Sequence, residues 1–317
     1  MGRPFSFVMR PCAGWVSPGM VLPMRLFLMT ALTMLAFAAN SVLNRWAVGQ
    51  EWIGPISFAL VRLLAGAGML AVILGVRLLL QRKVVWPQGW PILVGVGGLL
   101  LYLVGFSIAY LQLDAGTGAL ILFGSVQVTM FAGALLAREP LTVARWLGAA
   151  LAMVGIVFLV FPALQDARFG IPTVAMALAG VGWGAYSLVG RRQKDAQTAT
   201  AVNFILAVPV MLYVYVDGLQ LLDILIVEPP EQHYGLALAI LCGAVTSALG
   251  YALWYAILPA LGAARAAVAQ LTVPLLATAG GALALGEVPG LRFWLASLLV
   301  LGGVALASLP YRPLTRR

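Results

Sequence analysis

The chain has 317 residues, 62% of them hydrophobic and only 9% charged, and a formal net charge of +9. Soluble domains carry about 25% charged residues, so this composition cannot cover a water-soluble core with polar surface. The excess of bases lies scattered in short gaps between apolar runs, which excludes a nucleic-acid partner and points to a chain threaded repeatedly through a lipid bilayer.

Residues 1–24, punctuated by Pro4, Pro11, Pro18 and Pro23, read as a disordered cytoplasmic leader, with Met20 and Met24 as alternative starts. Arg25, an apolar stretch and Ala36-Phe37-Ala38 have the form of a cleavable signal peptide. The apolar pattern nevertheless runs on to Ala47, so the segment is read as a first spanning helix. Ten spans follow in order: 26–47, 55–80, 91–110, 116–137, 141–161, 171–190, 199–219, 235–258, 262–285 and 290–309. Each has about the 20 residues that a bilayer core requires. Backbone groups in lipid must be satisfied internally, and the weak alternation argues against a barrel, so the spans are helices. Residues 310–317 form a basic cytoplasmic tail.

With the N-terminus cytoplasmic, all but four of the 19 bases (Arg45, Arg62, Arg168 and Arg292) face the cytoplasm. The bases set the orientation, and both termini are then cytoplasmic. The longest loop, Gly218 to Tyr234, lies outside and holds the only histidine, His233. A solvated loop and a ligand site are both open readings there.

The segment Gly116–Val160 repeats 148 positions later: Glu139 matches Glu287, Trp146 matches Trp294, and Gly155 matches Gly303. Residues 25–161 and 170–309 are therefore two copies of one five-helix unit. Five is odd, so the second copy enters from the opposite face. The predicted fold class is an all-α membrane protein with ten transmembrane helices in two inverted five-helix repeats, an architecture of secondary transporters with a site near the midplane.

Within these residues lies a family resemblance. Asn40 with Arg45, the run Arg62-Leu63-Leu64-Ala65, and Glu139 with Trp146 and Gly155 are followed by Trp183, Tyr186 and Arg191. Tyr255, Pro274, Glu287, Trp294 and Gly303 complete the order. The chain resembles the drug/metabolite transporter superfamily in its EamA-type ten-helix branch over about 26–309. The resemblance implies a central cavity between the repeats and the movement of small organic solutes, often outward. It departs from the family at Phe37-Ala38, where many members carry Trp-Gly, and at Ser125-Val126-Gln127, where members often carry a proline like Pro274. No member's substrate contacts are carried over.

Polar groups at membrane depth are costly unless paired or purposeful. Arg62 lies seven residues past Pro55, about 10 Å along its helix. It is read either as an anchor for a substrate carboxylate or as a side chain that snorkels outward or pairs with Glu51. Asn40 and Asn44 share a face, and Asn40 is the deeper; cavity lining and helix-to-helix hydrogen bonding are the alternatives. Gln127 and Gln270 are read as an amide pair from opposite halves, or as helix glue. Tyr102, Trp183, Tyr186, Tyr251 and Trp254 form an aromatic set that lines the cavity or belongs to the interfacial belts. Ser125, Thr246 and Ser247 add hydroxyls or bond to their own helices. Gly95, Gly97 and Gly98 in the third helix, and Gly180, Gly182 and Gly184 in the sixth, are read as packing positions.

Glu139 and Glu287 sit at helix openings, where an acid complements the helix dipole. No acid lies mid-span, so no buried proton relay is visible. Neither catalytic triad, metal cluster nor cofactor motif is present. The expected function is alternating-access transport of a small neutral or zwitterionic metabolite, such as an amino acid, across a bacterial-type inner membrane, in the export direction. Efflux of lipophilic cations is the second reading. A non-transporting membrane enzyme or scaffold is the reading from another class. Expected partners are the small-molecule substrate and the lipid bilayer.

Overall fold

The computed structural model describes residues 18–138, 142–161, 167–221, 232–261 and 263–308. All regular secondary structure among the described residues is helical: α1 (Pro18–Gly49), α2 (Pro55–Leu79), α3 (Trp90–Ala109), α4 (Ala115–Leu136) and α5 (Val143–Val160) make the first half. The second half holds α6 (Ala167–Gly190), α7 (Ala196–Leu221), α8 (Gln232–Leu261), α9 in two pieces (Ala263–Gln270 and Thr272–Leu285) and α10 (Leu291–Ala307). Nine of the described helices are long and apolar enough to cross a bilayer, and α10, with 17 residues, is at the lower limit.

Local chemistry sets the ends. Proline opens α2 at Pro55, where its missing N–H costs nothing. Thr142 caps α5 by accepting the Arg145 N–H at 3.2 Å. Gly286, at φ +68, ends α9 in the left-handed region. Helix α1 begins at Pro18, inside the stretch read as a disordered leader; residues 1–17 and the tail 309–317 lie outside the described residues. So do Glu139 and residues 222–231 of the long loop.

Two features depart from the plain ten-rod expectation. The middle of α8, Cys242–Leu249, winds as a π-helix. The ninth span breaks at Leu271, between its two pieces. Pro274 explains the break, because a proline cannot donate to the carbonyl four residues earlier, that of Gln270, and its ring crowds it.

The halves interlock instead of standing side by side. Helix α3 packs on α6, α4 packs on both α6 and α9, and α1 packs on α8 and α9. Helix α2 meets α7, and α5 meets α10. Shift each helix by five places and these major contacts map onto one another: α3–α6 becomes α8–α1, and α4–α6 becomes α9–α1. The pairs α2–α7, α4–α9 and α5–α10 map onto themselves. This is the two-fold relation expected of inverted repeats.

Small residues allow the approach. A Cβ on Gly98 would sit 2.7 Å from the Gly182 carbonyl oxygen, and one on Gly182 would sit 2.6 Å from that of Gly98. Gly180 and Gly184 turn instead toward Ser125 and Thr129 of α4. Gly97 has open space around it and is no packing position, whereas Gly95 abuts the Asn203 side chain.

Candidate functional site

Arg62 is fully buried, at 0% exposure. Helix α2 is drawn close to the π stretch of α8 because Gly243 has no side chain; a Cβ there would strike the Arg62 carbonyl oxygen. This brings the guanidinium among polar groups from three other helices. Its Nε donates to Ser247 Oγ at 3.1 Å, and one terminal nitrogen donates to Tyr102 OH at 2.8 Å and Asn40 Oδ1 at 3.3 Å. The other terminal nitrogen, Nη1, has no hydrogen-bond partner. The guanidinium carbon also lies 5.2 Å from the centroid of the Tyr102 ring and 5.1 Å from that of Phe106. Neither snorkelling nor pairing with Glu51 occurs; among the described residues no carboxylate lies within ion-pair distance of Arg62.

Asn40 of α1 is the second centre. Its Nδ2 donates to the Ala36 carbonyl at 3.2 Å, one turn back. Its Oδ1 lies 2.7 Å from Thr246 Oγ1, 3.0 Å from Ser247 Oγ and 3.2 Å from Cys242 Sγ, besides the Arg62 contact. Since Arg62 can only donate, the oxygen of the amide must face it. Asn44, one turn on, donates to Ser107 at 3.0 Å and is helix-to-helix glue.

Asn40 and Tyr102 also border a small cavity of about 20 Å³, the order of one water molecule. Phe37, Ser41, Phe106, Leu122, Phe123, Trp183 and Tyr251 complete its wall. Trp183 is the hub of the aromatic side. Its ring lies 5.1 Å from Tyr102, 5.0 Å from Tyr251 and 5.3 Å from Tyr186, on which it stacks at 17°. Tyr186 stands one layer back, its hydroxyl 3.0 Å from Thr200 Oγ1. Trp254 packs edge-on against Phe37 at 5.8 Å, also behind the wall.

The sequence-predicted residues therefore divide. Asn40, Tyr102, Trp183 and Tyr251 border the cavity, and Arg62 backs it through Asn40 and Tyr102. Tyr186 and Trp254 support the aromatic wall. Gln127 and Gln270 are half-buried and border no part of it; Gln270 ends the first piece of α9 beside the break. Phe37, Ser41 and Phe106 were missed. Phe106 was findable, four residues after Tyr102 on the same helical face. Ser41 and Phe37 flank Asn40, but no periodic signal separates them from other residues of α1. Among the described residues no group of His, Cys, Asp and Glu is placed to hold a metal.

A scan against family models matches the EamA-like transporter family twice, over residues 24–161 and 171–309. The chain belongs to the EamA-like transporter family. It is similar, at 44% identity, to an uncharacterised protein of Pseudomonas aeruginosa, across 90% of this chain and 95% of that one. An uncharacterised transporter of Bacillus subtilis is 25% identical, across 85% of this chain and 90% of its own length. One solved crystal structure, 19% identical, superposes with a TM-score of 0.57 over 87% of this chain and 96% of that chain, and shares the fold.

In this EamA-like transporter two ion pairs among the described residues tie the halves together at opposite ends of the bundle. At one end Arg45 Nε meets Glu287 Oε1 at 3.1 Å, while Arg45 also donates to the Tyr110 and Leu111 carbonyls. Glu287 Oε2 accepts the Ala115 N–H at 2.8 Å. Glu287 thus caps α4 of the other half, not the helix that follows it, as its position in the sequence suggests. Burial holds its carboxyl above the usual carboxylate range despite those donors. At the other end Arg77 forks onto Asp195 at 2.9 and 3.2 Å. Asp195 also caps α7 through the Thr198 N–H. Burial pushes the Asp195 carboxyl up, but the hydrogen bonds from Arg77 and Thr198 outweigh it and hold it at about 2. Arg77 lies about 33 Å along α2 from Pro55, so the two pairs are separated by the thickness of a bilayer core.

Proposed function

We propose that this transporter carries a small carboxylate-bearing metabolite, neutral overall or zwitterionic, such as an amino acid, by alternating access. The observation that carries the reading is the small cavity between the halves, polar at Asn40, Ser41 and Tyr102, aromatic at Trp183 and Tyr251, and backed by a buried guanidinium without a carboxylate partner among the described residues. A carboxylate satisfies the guanidinium, and the rings accommodate an apolar side chain. Ion pairs at both ends support an occluded arrangement, in which opening either face requires one pair to part. The distribution of bases supports an inner-membrane orientation with both termini cytoplasmic, and the family resemblance favours outward movement.

Efflux of lipophilic cations draws support from the aromatic wall. The fixed positive charge of Arg62 opposes it, because a cationic guest in a low-dielectric cavity meets a like charge.

The test is solute exchange in vesicles reconstituted with the purified protein, across labelled neutral amino acids and a cationic dye. Counterflow of a carboxylate-bearing solute that Arg62→Gln abolishes, while the variant still inserts, is the expected result. Normal exchange by Arg62→Gln, or movement of the dye alone, overturns the reading.

A further inference from the structure

The oxygen of Asn40 is approached by more donors than it can serve. A carboxamide oxygen has two lone pairs. Within 3.3 Å of Asn40 Oδ1 stand the Arg62 guanidinium, Thr246 Oγ1, Ser247 Oγ and Cys242 Sγ. Thr246 has an alternative acceptor in the Cys242 carbonyl at 3.0 Å; Arg62 and Ser247 converge with it from two different helices. Three of the four donors come from the π stretch Cys242–Leu249, a rare winding that concentrates at functional sites.

This donor set matches a carboxylate better than an amide. A carboxylate has two oxygens and about four lone-pair sites, and bears the negative charge that would balance the guanidinium. Arg62 Nη1, buried and without a partner, is the second arm of a fork whose other terminal nitrogen already holds Asn40 and Tyr102. A buried guanidinium facing neutral acceptors alone is electrostatically incomplete.

We propose that Asn40 is a placeholder: its amide oxygen occupies the position of a substrate carboxylate oxygen in the empty carrier. The substrate's carboxylate displaces it and takes over Arg62, Thr246 and Ser247. The inference rests on the carboxylate-carrier reading above and assigns the atoms of its recognition. One acid group is accommodated, since the residues named supply one formal positive charge. The displaced amide is free to turn toward the cavity it borders, so loading and rearrangement of α1 are linked.

Acetate and acetamide, nearly equal in size and different in charge, are the probes, read by thermal unfolding of the purified full-length protein in detergent. Acetate is expected to raise the unfolding temperature of the wild type and acetamide to leave it unchanged. Asn40→Ala removes the competing oxygen and is expected to bind acetate on the order of tenfold more tightly. Asn40→Asp supplies a permanent carboxylate; it is expected to unfold at a higher temperature without ligand and to lose the acetate response. Equal responses to acetate and acetamide overturn the proposal, as does an undiminished acetate response in Asn40→Asp or a weakened one in Asn40→Ala. If vesicles exchange carboxylate solutes but these variants behave like the wild type, the placeholder fails and the carrier reading stands. If the acetate pattern appears but no solute is exchanged, the anion site stands and the carrier reading fails.

Discussion

Arg45 and Glu287, 242 positions apart in the chain, meet at 3.1 Å and join the end of α1 to the turn between α9 and α10. Arg77 and Asp195 do the same at the opposite end, again with the base in the first half and the acid in the second. The two pairs differ in their surroundings, and that difference is measurable.

Glu287 titrates above the ordinary 4.5 because it is half-buried. Between that value and its own, the folded protein holds a proton that the unfolded chain has released, so stability falls as pH rises through this window. Glu287 is faced by Arg45, Asp114 and the Ala115 N–H. Glu287→Gln keeps an acceptor for Ala115 and removes the titration. Its unfolding temperature should be flat over the window in which the wild type declines. Glu287→Ala leaves both Arg45 and Ala115 without it and should cost about 2 kcal/mol. A pH-scanned melting series of the three proteins checks both statements.

Asp195 has the opposite sign. Its folded carboxyl titrates at about 2 against an ordinary 3.8. Its contribution is complete above about 3.8 and is lost as pH falls toward 2. Asp195→Ala removes the α7 cap and the acceptor for the Arg77 fork, and should cost about 1–2 kcal/mol at neutral pH. Asp195→Asn should recover part of the loss, because asparagine also caps. Unfolding of both variants at neutral pH and at pH 3 is the measurement.

Gly148 of α5 and Gly303 of α10 form a backbone-to-backbone seam. A Cβ on Gly303 would lie 2.5 Å from the Gly148 carbonyl oxygen, and one on Gly148 would strike that of Gly303. Neither obstacle is a flexible side-chain end, so the helices must part. Gly303→Leu should destabilise the protein by about 2–3 kcal/mol. Gly302→Leu, one residue away and facing open space, should be near neutral. The paired variants, compared by thermal unfolding, separate packing from composition.

Trp183 touches Tyr102, Tyr186 and Tyr251. Trp183→Ala should cost about 3 kcal/mol through the void it leaves and weaken binding of solutes with apolar side chains more than binding of acetate. Trp183→Phe should restore most of both. Thermal shifts with acetate and with larger monocarboxylates read the two effects separately.

Much of this fold is legible in the sequence. The ten spans follow from length and apolarity, and the odd number of helices per repeat fixes the inversion. Arg62 stands out because an arginine in an apolar span demands an explanation, and it is one of the largest fully buried side chains among the described residues. Asn40, Tyr102, Trp183 and Tyr251 were recognisable for the same reason. The pairing of Gln127 with Gln270 did not emerge. Both are polar within their spans, but neither borders the cavity, and Gln270 ends the first piece of α9 beside the break at Leu271. The π winding of Cys242–Leu249 left no local mark in the sequence; it becomes visible only against Arg62, whose backbone fills the space over Gly243.

What the sequence determined alone is the set of apolar spans and their repeat, because these depend on length, order and the cost of burying charge. Which faces meet was decided only in three dimensions. In a water-soluble helix the apolar stripe marks the core, but in lipid the inward and outward faces are both apolar, so periodicity does not say which side of α1 or α8 looks inward. Asn40 and Ser247, 207 positions apart, share a hydrogen bond because the first helix of one half packs into the other half. That exchange is a property of how two like bundles interlock, and it is what turned scattered polar residues into one site.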